Sequence, residues 1–270
     1  MPQSRRQFIR TVPTFGAFLM ADQAGSKSLD WPAPPNPAAM DDSFPALHPA
    51  LAKEMVGVSH SSLARVKELL QQHPALAKAS WDWGYGDAET ALGAASHVGQ
   101  RAIAELLLET GAPPTLFSAT MLGQLDVVKA LMTSTPGLQR LRGPHSLSLM
   151  VHARAGGPPA DAVVKYLEAL GDAGLSMPDE PLSAEERARL DGRYVFGDRP
   201  RDVFIVSTKP NQVAIERLGA TSRTVMHLGQ LEFTAPGAPA VRIRFERDGA
   251  SITALTLSDP DLVVRAQRRG

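Results

Sequence analysis

The distribution of apolar residues changes along the chain and predicts two kinds of secondary structure. Between residues 47 and 176, apolar residues recur at helical spacing, and each helical stretch is followed by a short polar or glycine-containing segment. Beyond residue 192 they alternate with polar residues over short runs, which is typical of half-buried strands. The pattern therefore predicts an α+β multidomain protein in which a helical domain precedes a β domain.

The helical part contains an internal repeat, and its clearest copy covers residues 89–115. Thr90 is placed to cap a short first helix, Gly99 permits a left-handed turn, and Gly111 ends a second helix that carries an apolar stripe. This segment resembles the ankyrin repeat. The residues that match the family pattern are Thr90, Leu92, Ala95, Gly99, Ile103, Leu106, Leu107, Gly111 and Ala112.

Weaker copies of the repeat occupy residues 51–72, 116–133 and 147–170. Four helix pairs are enough to bury a continuous core in a repeat protein. The resemblance thus implies an α-helical ankyrin-type solenoid of about four repeats over residues 47–176. It also implies that this domain binds a protein or peptide partner.

Residues 177–270 are expected to form an antiparallel β domain with one short leading helix. Ser183 and Glu186 fit a capping box that opens this helix, which we expect to end at Leu190. Eight short strands separated by turn residues follow and predict a small antiparallel sheet or barrel. The predicted strands are 193–196, 202–207, 212–217, 224–228, 231–234, 241–247, 251–257 and 262–266.

This β segment is similar to a small lipocalin-like β module that is appended to bacterial hydrolases and exported proteins. The residues that match the module are Leu190, Gly192, Tyr194, Phe245, Gly249 and Leu255. In the module these positions are mostly structural, so the resemblance implies no catalytic residue. Tyr194, Phe204, Phe233 and Phe245 either line a ligand cavity or fill the interior, and small barrels favour a filled interior.

The N-terminal residues 1–25 have the layout of a cleaved export signal. Ser4, Arg5, Arg6 and Phe8 precede an apolar run of about ten residues, which is too short to span a bilayer. The segment resembles a twin-arginine signal and implies a periplasmic protein that meets the membrane only during export. The Pro-rich residues 26–46 are predicted to form a linker.

Composition and motifs exclude several kinds of function. The 28 Lys and Arg residues balance the 28 Asp and Glu residues, so no overall charge attracts nucleic acid. The absence of cysteine excludes disulfides and thiolate chemistry. The sequence has no G-x-S-x-G elbow and no Walker A loop, and His145 and His152 form no metal-binding motif. We therefore expect a non-enzymatic protein without catalytic residues, metal or cofactor.

An aromatic segment between the first two repeats is the candidate partner-binding site. Rings on an exposed loop are common in recognition surfaces, although this loop could instead fold back and cap the first two repeats. Two alternatives to partner binding stay open, namely a small-ligand carrier that uses the β module and an accessory protein of a periplasmic enzyme. The candidate residues are Trp81, Asp82, Trp83, Tyr85, Asp87, Glu89 and His97.

Overall fold

A computed structural model of the 270-residue chain describes residues 43, 46–260 and 262–269. The predicted signal residues Ser4, Arg5, Arg6 and Phe8 and most of the predicted linker lie outside the described residues. In the described part of the chain, helices come first and a β-barrel follows.

The helices of the first part form four consecutive pairs. The first helix of each pair packs beside the first helix of the next pair. Short 3₁₀ turns lie at Pro74–Lys78, Leu138–Arg140, Pro144–Ser146 and Pro158–Ala160. The pairs are α1 (Pro49–Val58) with α2 (Leu63–Gln72), α3 (Ala91–His97) with α4 (Arg101–Glu109), α5 (Leu116–Met121) with α6 (Leu125–Ser134), and α7 (Leu149–Ala155) with α8 (Asp161–Leu170).

Local sequence signals explain where these helices begin and end. The Thr90 side chain accepts a hydrogen bond from the backbone N–H of Gly93 at 2.9 Å, which confirms the predicted cap of α3. Gly99 has φ 76° and makes the left-handed turn between α3 and α4. The apolar stripe of α4 buries Ile103 and Leu107 in a core shared by the first two pairs.

The segment between the first two pairs is a small β-hairpin, which we call the finger (residues 80–90). Its strands are β1 (Ser80–Asp82) and β2 (Ala88–Thr90), paired so that Trp81 lies opposite Glu89. Tyr85 at the tip has φ 59° and is flanked by Gly84 and Gly86, which also have positive φ.

The second part of the chain is a closed eight-stranded antiparallel barrel preceded by α9 (Ala184–Leu190). Consecutive strands are neighbours, and the barrel closes because the first strand pairs with the last. All eight predicted strands are present. Of the two arrangements that the sequence left open, a sheet or a barrel, they form the barrel. The strands are β3 (Gly192–Val195), β4 (Val203–Lys209), β5 (Gln212–Arg217), β6 (Arg223–Gly229), β7 (Glu232–Ala235), β8 (Ala238–Asp248), β9 (Ser251–Asp259) and β10 (Leu262–Arg269).

Side chains fill the middle of the barrel. Phe245 contacts Tyr194 and Phe233 edge to face, with ring centroids 5.7 and 5.5 Å away. The buried Tyr194 hydroxyl donates a hydrogen bond to the carbonyl of Leu190 at 2.7 Å. Phe204 is buried as well, so all four aromatic residues considered from the sequence belong to the barrel core.

One end of the barrel contacts the helical part. The backbone N–H of Gly237, in the turn between β7 and β8, donates a hydrogen bond to the Ser146 hydroxyl at 2.6 Å. A Cβ at Gly237 would overlap the carboxylate of Asp87 in the finger. In the described residues, every helix is too short or too polar to cross a membrane.

Candidate functional site

The finger lies at the junction of the helices and the barrel and contacts both. Trp81 and Trp83 pack against the core of the first two helix pairs. Tyr85, at the tip, packs against the barrel core. A single hairpin therefore connects these two of the three hydrophobic cores in the described residues.

The predicted partner-binding residues lie at different depths in this junction. Asp82 is exposed, and the three aromatic residues are half-buried. Asp87 and Glu89 are buried and point inward, and His97 ends α3 beneath them. Of the two arrangements considered from the sequence, the finger adopts the folded-back one.

The buried Glu89 carboxylate is surrounded by three imidazole rings. His97 Nδ1 lies 3.1 Å from Oε1, and the Nε2 atoms of His60 and His145 each lie 3.5 Å from Oε2. The Trp83 indole N–H also donates to Oε2 at 2.8 Å. His60, Glu89, His97 and His145 each offer one potential ligand atom, and these four atoms lie within 4.8 Å of one another.

Asp87 connects this cluster to the barrel. It accepts hydrogen bonds from the backbone N–H of His145 at 2.8 Å and from His145 Nδ1 at 2.7 Å. The guanidinium of Arg223, at the start of β6, donates to the same carboxylate and to the carbonyl of Pro236. Asp87 thus orients the His145 ring and pairs with a buried cation.

The charges in the cluster shift the pKa values of its members. Burial alone would raise the pKa of Glu89, but contacts with His145, His97 and Trp83 hold it at about 2. Hydrogen bonds to Asp87 and Glu89 raise the pKa of His145 to about 9. Burial lowers the pKa of the neighbouring His152 to about 4. At neutral pH, His145 in the cluster is therefore charged and His152 beside it is neutral.

Sequence reasoning did not find His60, His145 and Arg223 as members of this site. Asp87 is 58 positions from His145 and 136 positions from Arg223, so no local motif joins them. His145 also has a left-handed backbone with φ 57°, which is uncommon for a residue other than glycine. Such a conformation is typical of functional sites, but it is not readable from residue type.

An apolar cavity of about 280 Å³ lies on the barrel side of the finger. Trp83 and Tyr85 form its wall on the finger, and Arg217 and Thr221 are among its polar lining residues. A separate cleft of about 410 Å³ includes His60, Trp83, His145 and Arg223 in its wall. The barrel contributes most of the apolar lining of the cavity, with Phe196, Phe204, Ile215, Leu257, Leu262 and Val264.

Comparison with known proteins adds no relative to this description. The sequence matches no protein-family model and no curated protein. The function must therefore be inferred from the chemistry of the junction.

Proposed function

We propose that the protein binds a small, mainly apolar molecule in the cavity between the finger and the barrel. The observation that supports this function is a concave, largely apolar space of about 280 Å³ with a few polar groups among its lining residues. Pockets of this composition are typical of small-molecule sites. The proposed binding involves no catalytic step.

The volume and lining of the cavity indicate the class of ligand. A dry cavity of about 150 Å³ is sufficient for benzene, so the observed space suits two fused rings. Arg217, Glu216 and Thr221 can receive one polar substituent of such a ligand, and Phe196 and Phe204 can contact its rings. A bicyclic aromatic compound with a single hydroxyl group matches these features.

Blocking the cavity is expected to abolish this binding. The probe is 2-naphthol, and binding is measured by isothermal titration calorimetry. Ala220 is an exposed lining residue, so Ala220→Trp fills the space without cutting into the core. We expect at least about a tenfold loss of affinity, or about 1.4 kcal/mol.

The matched control is Ala250→Trp, because Ala250 is exposed in the turn between β8 and β9 and does not line the cavity. This variant should bind 2-naphthol like the unaltered protein. Equal affinities for both variants, or no binding to the unaltered protein, would refute the proposed function.

We also propose that the four helix pairs are divergent ankyrin repeats and that the barrel is a lipocalin-like module. The stacked pairs, the Thr90 cap and the Gly99 turn support the first assignment, and the closed eight-stranded meander supports the second. The twin-arginine pattern at Arg5 and Arg6 supports export to the periplasm. Fractionation of cells that produce the full chain tests this location.

Binding of a protein or peptide partner is the second candidate function. Asp82 is exposed on the finger, beside the half-buried Trp81 ring, which has the Lys53 ammonium 5.6 Å from its centroid. Asp82→Lys should abolish capture of a partner that recognises this edge in pull-downs from periplasmic extract. The control variant Asp198→Lys alters an exposed residue outside the finger and should still capture the partner. Equal capture by both variants would count against a role for the finger.

A further inference from the structure

We propose that His60, Glu89, His97 and His145 form a binding site for a divalent transition-metal ion, with zinc as the best-matched metal. The site is independent of the apolar cavity, although Trp83 contacts both. It uses residues from α3, the finger and two connecting turns.

The spacing of the potential ligand atoms fits a single ion. Imidazole nitrogens and carboxylate oxygens lie about 2.0–2.2 Å from zinc, so neighbouring ligands in a tetrahedron are about 3.3–3.6 Å apart. The separations from the Glu89 oxygens are 3.1 Å to His97 Nδ1 and 3.5 Å to His60 Nε2 and His145 Nε2. The first of these distances involves Oε1 and the other two involve Oε2. The four ligand atoms lie within 4.8 Å of one another, so the widest pair must close by up to about 1.2 Å to surround one ion.

Two atoms at the centre of the cluster are buried without a hydrogen-bond partner. Glu89 Oε1 and His97 Nδ1 face each other at 3.1 Å, but their orientation is not that of a hydrogen bond. Glu89 is completely buried and the His97 side chain is 9 % exposed, so solvent scarcely reaches them. Unsatisfied buried polar atoms are costly and rare in native proteins. A metal ion between the two atoms would satisfy both.

The outer hydrogen bonds direct two rings toward the ion. His60 Nδ1–H donates to the carbonyls of Val56 and Gly57, each at 3.1 Å, which leaves Nε2 free to act as a ligand. His145 Nδ1–H donates to Asp87 at 2.7 Å, which likewise leaves Nε2 free. Metal-ligating histidines usually donate their second N–H to a carbonyl or carboxylate in this way.

The ligand chemistry selects the class of metal. Three imidazoles and one carboxylate suit zinc and other late first-row divalent ions. Calcium and magnesium prefer oxygen ligands, and copper(I) prefers sulfur. His60 and His145 line the cleft of about 410 Å³, so an ion has a route from solvent to the site.

A metal-free ion-pair network is the competing arrangement, in which a protonated His145 neutralises part of the charge of Asp87 and Glu89. It accounts for the contacts of His145, but Glu89 Oε1 and His97 Nδ1, which lie 3.1 Å apart, form no hydrogen bond in it. Metal binding accounts for both sets of observations. The metal site predicts that the protein binds one divalent ion tightly, whereas the ion-pair network predicts no such binding.

The test is a zinc titration of the full chain, purified without a histidine tag and stripped with EDTA. Calorimetry and elemental analysis after dialysis should give one zinc ion per chain. Loss of an outer-shell partner alone costs about 10–100-fold in metal affinity, so His60→Gln and His97→Gln should each weaken binding by at least about 100-fold. His73→Gln, which alters a half-buried histidine outside the cluster, should bind zinc normally.

Two further measurements keep the test decisive. The His60 side chain is 28 % exposed, so His60→Gln should retain the fold. Near-ultraviolet circular dichroism checks that it does. If His97→Gln does not fold, the zinc affinity of His60→Gln alone decides the test. Cobalt(II) added to the stripped protein should give visible absorption bands that His60→Gln lacks. Less than one zinc ion per chain, or equal zinc affinity in His60→Gln and the unaltered protein, would overturn the proposal and favour the ion-pair network.

Discussion

Replacement of Asp87 by Ala should lower the free energy of unfolding by about 3–5 kcal/mol, because it leaves a buried cation without its carboxylate. The side chains of Asp87 and Arg223 are only 1 % and 9 % exposed. Arg223 keeps its hydrogen bond to the Pro236 carbonyl, but this neutral acceptor does not balance its charge. Urea unfolding of the EDTA-treated protein at pH 7 measures the effect without any contribution from bound metal.

Two companion variants show whether the Arg223 charge is the cause. Asp82→Ala removes an exposed carboxylate in the same finger, whose Oδ1 accepts a hydrogen bond from the backbone N–H of Gly84 at 2.7 Å, and should cost only about 1 kcal/mol. Combining Asp87→Ala with Arg223→Met removes both charges, so the double variant should lose less stability than the sum of the single variants. A loss below about 1 kcal/mol for Asp87→Ala would show that this pair does not hold the junction together.

Gly99→Ala should destabilise the protein by at least about 3 kcal/mol. Gly99 has φ 76°, a conformation that costs other residues about 1–2 kcal/mol. A Cβ at this position would also overlap the backbone carbonyl of Ala155, and packed backbone cannot move aside cheaply. Thermal and urea unfolding of the variant measure the loss.

Gly171→Ala is the matched control for this prediction. Gly171 has φ 82°, but a Cβ there would meet no atom within 4 Å. It should therefore show only the conformational cost of about 1–2 kcal/mol. Equal losses in the two variants would mean that the close approach to Ala155 contributes nothing.

The secondary structure was predictable because its causes are local. The Thr90 cap, the Gly99 turn and the alternation from Val241 to Phe245 are all legible within a few residues. Closure of the barrel was not determined by those patterns. It depends on pairing between β3 and β10, which are far apart in the sequence.

The candidate site was predictable only in part, for the same physical reason. The unusual composition of the finger indicated a special role for Trp83, Asp87 and Glu89, and local signals placed His97 at the end of a helix. Burial of Asp87 depends on the barrel, which supplies Arg223 and the turn at Gly237. The contribution of His145 depends on a left-handed backbone that residue type does not reveal.

Closure of the barrel through β10 also determines the order in which the protein can mature during synthesis. The helix pairs contain mostly local contacts and can form as they leave the ribosome. Before residues 262–269 emerge, β3 and β9 each have one edge without a partner, and that edge is open to pairing with other chains. Asp87 likewise has no partner in Arg223 until that residue, 136 positions later in the chain, has been synthesised. The nascent barrel thus keeps two open edges until its final strand is complete.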